Sequence, residues 1–166
     1  MKIMGIDNGL SGGFVTIDSV LGTRTISKIV MPVIKTKKGK HELDKPALMR
    51  YMLKERPMYV FLEKAQAMPK QGVTGMFHYG ENYGIIQGMV CALGFQLHLV
   101  RPQEWQKAMF AGRVKNGTKE LSYAVCREQF PEESWVATER SRKFHTGLVD
   151  AACITMYGLR VINQLD

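Results

Sequence analysis

Residues 1–18 read MKIMGIDNGLSGGFVTID. Lys2–Asp7 is a short apolar run closed by a carboxylate, and Asn8-Gly9 after it is a turn signal. Gly13–Asp18 resumes as an apolar, β-branched run, and Thr23–Met31 (TRTISKIVM) alternates loosely. Three strands punctuated by Gly and Asn over so short a stretch suit antiparallel hairpin connections. Farther on, Met58–Glu63 (MYVFLE) is apolar on both faces, as a central strand covered on both sides must be, and it too ends in a carboxylate.

Outward from these strands the pattern turns helical. Residues 35–43 (KTKKGKHEL) read as a polar, basic loop. Asp44 then predicts an N-cap for a helix over Pro46–Glu55, with proline early where its missing N–H costs nothing, and Pro57 stops it. Gly75–Leu93 predicts a helix with Met76, Tyr83, Ile86, Val90 and Leu93 near one face. Phe95–Arg101 predicts a further strand, and Pro102–Phe110 and Thr118–Phe130 predict helices. The closing helix is expected over Thr146–Asn163, capped by Thr146, with the stripe Leu148, Ala151, Ala152, Thr155, Leu159 and Ile162. Three hairpin strands, a strand–helix–strand unit and terminal helices make a mixed-sheet α/β domain. No repeat, low-complexity tract or domain boundary interrupts it, so residues 1–166 are expected to form a single domain.

Composition narrows the function classes. The chain has 166 residues, 45% hydrophobic and 23% charged, which excludes wholesale disorder. It is too short for the two lobes of the actin-like ATPases and sugar kinases that GIDNGLSGG brings to mind, so no nucleotide cofactor is expected. No stretch reaches the ~18 apolar residues of a membrane span. The start MKIMGIDNG, broken by Asp7 and two glycines, does not read as a signal peptide. A cytoplasmic location, in a bacterial or phage-infected cell, is the expectation. Cys91, Cys126 and Cys153 are odd in number and widely spaced, each in an apolar or helical context, so buried reduced thiols are expected.

Lys and Arg number 23 against 15 Asp and Glu, a formal charge of +8. The basic residues gather at Lys35, Lys37, Lys38, Lys40 and Lys45, at Lys64 and Lys70, at Arg113, Lys115 and Lys119, and at Arg140, Arg142 and Lys143. Any one cluster has an ordinary reading as a solvated face. Four of them, with no basic amphipathic helix, favour nucleic acid over membrane.

Three acids stand apart. Asp7 and Glu63 end apolar strands, and Asp150 lies in the first turns of a helix of small and apolar residues, GLVDAACI. Desolvating a lone carboxylate costs several kcal/mol unless it is paired or bound to a cation. Singly, each has a structural explanation, such as strand-end solvation or, for Asp150, the helix dipole. As a trio they point to a divalent cation, and oxygen ligands favour Mg²⁺ or Mn²⁺.

Five stretches carry a likeness to a known family: GIDNGLSGGF at 5–14, EKAQAMPKQGV at 63–73, FHYGENYGIIQG at 77–88, VRPQEWQKAMF at 100–110 and GLVDAACITMYG at 147–158. With them the chain resembles the RuvC-like Holliday junction resolvases, in particular the phage-type branch of this ribonuclease H-like nuclease superfamily. The resemblance implies a ribonuclease H-like fold, three antiparallel strands followed by two parallel ones, flanked by helices. It implies an endonuclease that resolves four-way DNA junctions by paired symmetric nicks, with two Mg²⁺ or Mn²⁺ ions per active site. Asp7, Glu63 and Asp150 match the catalytic, metal-ligating carboxylates, Asp7 being the one that bridges both ions. One ion would acidify the attacking water and the other stabilise the leaving oxygen. The family carries a fourth ligand, an acid or His, shortly before the last Asp. Here Lys143-Phe144-His145-Thr146-Gly147 offers no carboxylate, which leaves His145 as catalytic and metal ligand, or as a surface or phosphate-contacting histidine.

For DNA, Lys70 in AMPKQG and Lys107 beside Trp105 are candidate phosphate contacts, as are Lys115, Lys119, Arg142 and Lys143 from the basic clusters. By the resemblance, Phe77 and Tyr79 are aromatics that could wedge into a crossover, while Tyr83 packs on the sheet. Gly80, Gly84 and Gly88 form a bare stripe, read either as helix-on-sheet packing or as the approach of a partner helix or DNA. Trp105 reads as a core anchor, and the sequence does not place Trp135. Two equivalent strands to cut imply a homodimer. The alternatives are a related nuclease for other branched DNA or RNA–DNA hybrids, and a non-catalytic DNA-binding scaffold.

Overall fold

The computed structural model describes residues 1–20, 23–37, 39–66, 72–114 and 117–164. Its framework is a five-stranded sheet of β1 (Lys2–Asp7), β2 (Gly13–Val20), β3 (Thr23–Val30), β6 (Tyr59–Glu63) and β7 (Gln96–Val100), in the order β3-β2-β1-β6-β7. β1, β2 and β3 pair antiparallel, whereas β1–β6 and β6–β7 pair parallel. This is the mixed α/β sheet the apolar runs predict. Ile3, Met4 and Ile6 on β1 and Val60, Phe61 and Leu62 on β6 are all buried, which is why those runs show no polar alternation.

Helices cover both faces. One side holds α1 (Lys45–Glu55) and α2 (Val73–Ala92), whose Leu48, Met52, Ile86 and Val90 pack with Met4, Ile6, Phe14, Val60 and Leu62. The other holds α3 (Pro102–Met109), α4 (Thr118–Gln129) and α5 (Thr146–Ile162), which pack with Ile3, Val15, Ile17 and Phe61 around Trp105, Val125 and Ile154. α5 presses directly on β1. A Cβ at Gly5 would lie 2.4 Å from the Ala151 carbonyl oxygen, so only glycine permits the contact. Thr155 Oγ1 fixes the height by donating to the Val15 carbonyl at 2.9 Å, shared with Ala151 at 2.8 Å. Asp44 caps α1 as expected, accepting from Ala47 N at 3.0 Å.

Two expectations need correction, and one residue gains a place. Residues 35–43 are not simply a loop: β4 (Val33–Lys35) and β5 (His41–Leu43) pair as a separate antiparallel hairpin. Val33 and Ile34 are exposed and only Leu43 is buried, so no period-two pattern existed to read. Cys126 and Cys153 are buried as expected, but Cys91 is exposed, because it lies off the face of α2 that carries the buried Ile86 and Val90. Trp135, which the sequence leaves unplaced, is buried against Phe130 with the Lys28 ammonium 5.3 Å from its ring centre.

Candidate active site

The pairing of Ile6 with Leu62 puts the next residue of each strand, Asp7 and Glu63, side by side at one end of the sheet. Asp150 comes to the same end from the second turn of α5, which the Gly5–Ala151 contact seats over β1. Their electrostatics record the convergence. Burial pushes the Asp7 carboxyl up to about 7; the Glu63 charge adds to this, a hydrogen bond from Gly9 N–H opposes it, and Asp150 raises it further. Glu63 is also raised, by burial and by the charge of Asp150, against a hydrogen bond from Trp105. Asp150 is raised by burial, against a hydrogen bond from Ser122 and the nearby Lys119 charge.

Among the described residues none of these carboxylates forms an ion pair within 4.0 Å. Neutral donors hold them instead. Gly9 N–H donates to Asp7 Oδ1 at 3.2 Å, Trp105 Nε1 to Glu63 Oε1 at 2.9 Å, and Ser122 Oγ to Asp150 Oδ1 at 2.6 Å. Each carboxylate therefore has one oxygen outside these bonds. Among the described residues no three His, Cys, Asp or Glu side chains draw in to the spacing that would hold an ion. The donor chemistry, three carboxylates and no sulfur, fits a hard divalent cation such as Mg²⁺ or Mn²⁺.

His145, not Thr146, caps α5: its Nδ1 accepts from Leu148 N at 3.2 Å, and Thr146 is the first helical residue. A bond from His145 N to the Trp135 carbonyl at 2.7 Å and a bridge between Val136 and Phe144 anchor the cap. Burial lowers its pKa, and Nδ1, as the acceptor from Leu148 N, carries no proton, which leaves the proton of the neutral ring on Nε2. With Nδ1 committed to the helix, only Nε2 remains for any other partner.

Tyr79 reaches the site from α2. Its hydroxyl donates to Asn8 Oδ1 at 2.8 Å, and burial with the charges of Glu63 and Asp7 raises its pKa to about 12. Asn8 is buried, and its Nδ2 has no partner among the described residues. Phe77, 69% exposed, lines a cavity of about 680 Å³ between α2 and β5, together with Tyr79, Lys40, Lys45 and Leu10. Tyr83 packs against the core, as expected. The bare stripe does not serve packing on the sheet: a Cβ at Gly80, Gly84 or Gly88 would meet nothing within 4 Å.

Of the basic candidates, Lys119 is exposed yet within electrostatic reach of Asp150, and Lys107 is exposed on α3. Arg142 and Lys143 are exposed just before His145. Arg113 is committed to Glu128 through two bonds of 2.7 and 2.6 Å. Lys38, Lys70 and Lys115 lie outside the described residues. Sequence reasoning missed the bonds from Trp105 and Ser122. For Ser122 a signal existed, since it is the polar member of the buried set Ser122, Val125 and Cys126 on α4.

No protein-family model and no curated protein matches the chain. Solved structures do. Thermus thermophilus RuvC in complex with a Holliday junction substrate aligns over 99% of this chain and 96% of its own, with a TM-score of 0.71 and 16% identity. The yeast mitochondrial Holliday junction resolvase Ydc2 aligns over 98% and 79%, with a TM-score of 0.64 and 14% identity. The fowlpox virus resolvase, solved with its substrate Holliday junction DNA, aligns over 99% of each chain, with a TM-score of 0.53 and 19% identity. The fold is therefore that of the RuvC-like, ribonuclease H-like proteins.

Proposed function

We propose that the chain is a divalent-metal-dependent endonuclease that resolves four-way DNA junctions, acting as a single ribonuclease H-like domain. The observation that carries this is the approach of Asp7, Glu63 and Asp150 from β1, β6 and α5 at one end of the sheet, where each accepts from a neutral donor. The structures sharing the fold include two resolvases solved with Holliday junction DNA. The net charge of +8 suits a polyanionic substrate.

In this reading Asp7, Glu63 and Asp150 hold the cation, while His145, whose Nδ1 accepts from Leu148 N, turns an Nε2–H toward a phosphate oxygen rather than a lone pair toward the ion. Bound there, a divalent cation supplies positive charge to the scissile phosphate and acidifies water. The chain's own residues do the rest. Lys119, within electrostatic reach of Asp150, is the candidate to hold a phosphate, and the exposed Lys107, Arg142 and Lys143 are the candidates for backbone contacts. Phe77 and Tyr79 line a recess between α2 and β5 where an unstacked base could lodge. A junction presents two equivalent strands, so a homodimer with two sites matches its symmetry. Among the described residues no helix is long and apolar enough to cross a membrane; in a bacterial or phage-infected cell the DNA, and with it the place of action, is in the cytoplasm.

The test is nicking of a mobile four-way junction by wild type and Glu63→Gln, with Mg²⁺ or with EDTA. Symmetric paired nicks that require both Mg²⁺ and Glu63 support the reading. Faster cutting of a flap, a plain duplex or an RNA–DNA hybrid than of the junction would replace it with another nuclease assignment. Metal-independent binding with no cutting would leave a DNA-binding scaffold.

A further inference from the structure

We infer that Trp105 and Ser122 are positioning residues for the cation: each occupies one oxygen of a carboxylate and leaves the other oxygen to the ion. This rests on the metal-dependent reading above. Both side chains are almost wholly buried, Trp105 at 1% exposed and Ser122 at 0%. A buried indole N–H or hydroxyl needs an acceptor, and a backbone carbonyl would satisfy it as well as a carboxylate does. Here both donors go to the acids, Trp105 Nε1 to Glu63 Oε1 at 2.9 Å and Ser122 Oγ to Asp150 Oδ1 at 2.6 Å.

Neutrality is what suits these donors to the task. A Lys or Arg in either place would cancel the charge that draws the cation. An N–H or O–H fixes the carboxylate's rotation and favours its ionised form while the negative charge remains. Gly9 N–H treats Asp7 Oδ1 the same way at 3.2 Å. The turn after β1, α3 and α4 thus contribute one neutral donor each to one carboxylate each. A single free oxygen per carboxylate suits the small octahedral shell of Mg²⁺ better than three chelating carboxylates would.

The placement of Trp105 follows from the local chain. β7 pairs Val100 with Glu63, and α3 begins two residues later at Pro102. Glu104 Oε2 accepts from Arg101 N at 3.0 Å, which fixes where that helix starts. The indole at the end of its first turn then lies over the end of β6. Ser122 sits one turn beyond Lys119 on α4, so the neutral donor and the cation reach Asp150 from the same helix face.

Two measurements on the full chain test this. The chain has two tryptophans, so a ¹⁵N-labelled sample gives two indole cross-peaks, and Trp105→Phe identifies which belongs to Trp105. On titration with MgCl₂ alone the Trp105 peak is expected to shift in wild type and to stay still in Glu63→Gln. In the second, Mn²⁺ affinity by electron paramagnetic resonance is expected to weaken by about tenfold or more in Trp105→Phe and in Ser122→Ala, with junction affinity in EDTA changing less than about twofold. If folded variants bind Mn²⁺ as wild type does, or the Trp105 peak ignores saturating Mg²⁺, the inference is overturned while the nuclease reading stands. If wild type binds no Mn²⁺ at all, both fall. Should either variant fail to fold, sequential NMR assignment of the wild type identifies the Trp105 peak, and its response to Mg²⁺ still decides.

Discussion

Gly12 and Gly147 meet backbone to backbone: a Cβ built on Gly147 would lie 2.4 Å from Gly12 Cα and 2.4 Å from the Ser11 carbonyl oxygen. This contact locks the turn that follows Asp7 against the first turn of α5, three residues before Asp150. Position 147 therefore has no room for any side chain.

Gly147→Ala is therefore expected to destabilise the fold by roughly 1–3 kcal/mol through overpacking, since backbone atoms rather than a flexible side chain are in the way. Gly12→Ala, with its Cβ 2.1 Å from the Asp7 carbonyl oxygen, should behave alike. Urea denaturation reads the loss, and nicking should fall more than stability does because Asp7 and Asp150 move apart. Gly84→Ala, where a Cβ meets nothing within 4 Å, is the control and should leave stability unchanged or raised.

A second expectation concerns pH in the absence of metal. The folded Asp7 carboxyl sits at about 7 against an ordinary 3.8, so the folded chain holds that proton more tightly than the unfolded one. Stability is then lowest above pH 7, where Asp7 is ionised in both states, and rises as pH falls through 7. Glu63 and Asp150 are raised too and act in the same direction. His145 opposes them: burial lowers its pKa, so its contribution is lost as pH falls through the histidine range. Between pH 8 and 6.5, in EDTA, the melting temperature should rise on acidification. Asp7→Asn should raise it at pH 8, flatten the slope and remove the gain that Mg²⁺ gives wild type. A steeper slope in the variant would contradict the clustering of the carboxylates.

Much of this site is legible in the sequence because strands buried on both faces advertise themselves. An acid ending such a run, as Asp7 and Glu63 do, has few innocent places to be. The small residues flanking Asp150 likewise foretell a helix pressed on a sheet. What remained hidden depends on contacts between elements. No local pattern tells that the Trp105 indole reaches across to Glu63, since that requires β6 and β7 to be neighbours and α3 to start where it does. The cap of α5 was misread because Thr outranks His as an N-cap by propensity, whereas His145 is held in place by Trp135 from an adjoining turn. The glycine stripe of α2 was legible as a stripe but not as an outward one, since spacing alone does not say which face meets the core.

Tyr79→Phe isolates the link between α2 and the strand carrying Asp7. It removes the hydroxyl that satisfies Asn8 Oδ1 and leaves a buried amide whose Nδ2 already has no partner among the described residues. A loss of about 1–3 kcal/mol is the expected cost of such an unpaired group. Cleavage should fall while junction affinity in EDTA holds, because the hydroxyl contacts the protein rather than DNA. Weaker binding with unchanged cutting of bound junction would instead make Tyr79 a DNA contact.

The basic candidates separate by salt dependence. A Lys that touches phosphate releases counter-ions, so its removal weakens binding to all sequences and lowers the slope of log affinity against log salt by about one. Lys107→Ala, Arg142→Ala and Lys143→Ala should each do this, with cutting of saturated junction unchanged. Lys119→Ala should differ, because Lys119 also acts on Asp150. It should lower the slope and in addition slow the cutting of fully bound junction, most strongly at limiting Mg²⁺. Filter binding across a salt series, paired with single-turnover nicking, reads both effects. A Lys119→Ala protein that loses affinity alone would assign that side chain to the DNA backbone and leave Asp150 to Ser122.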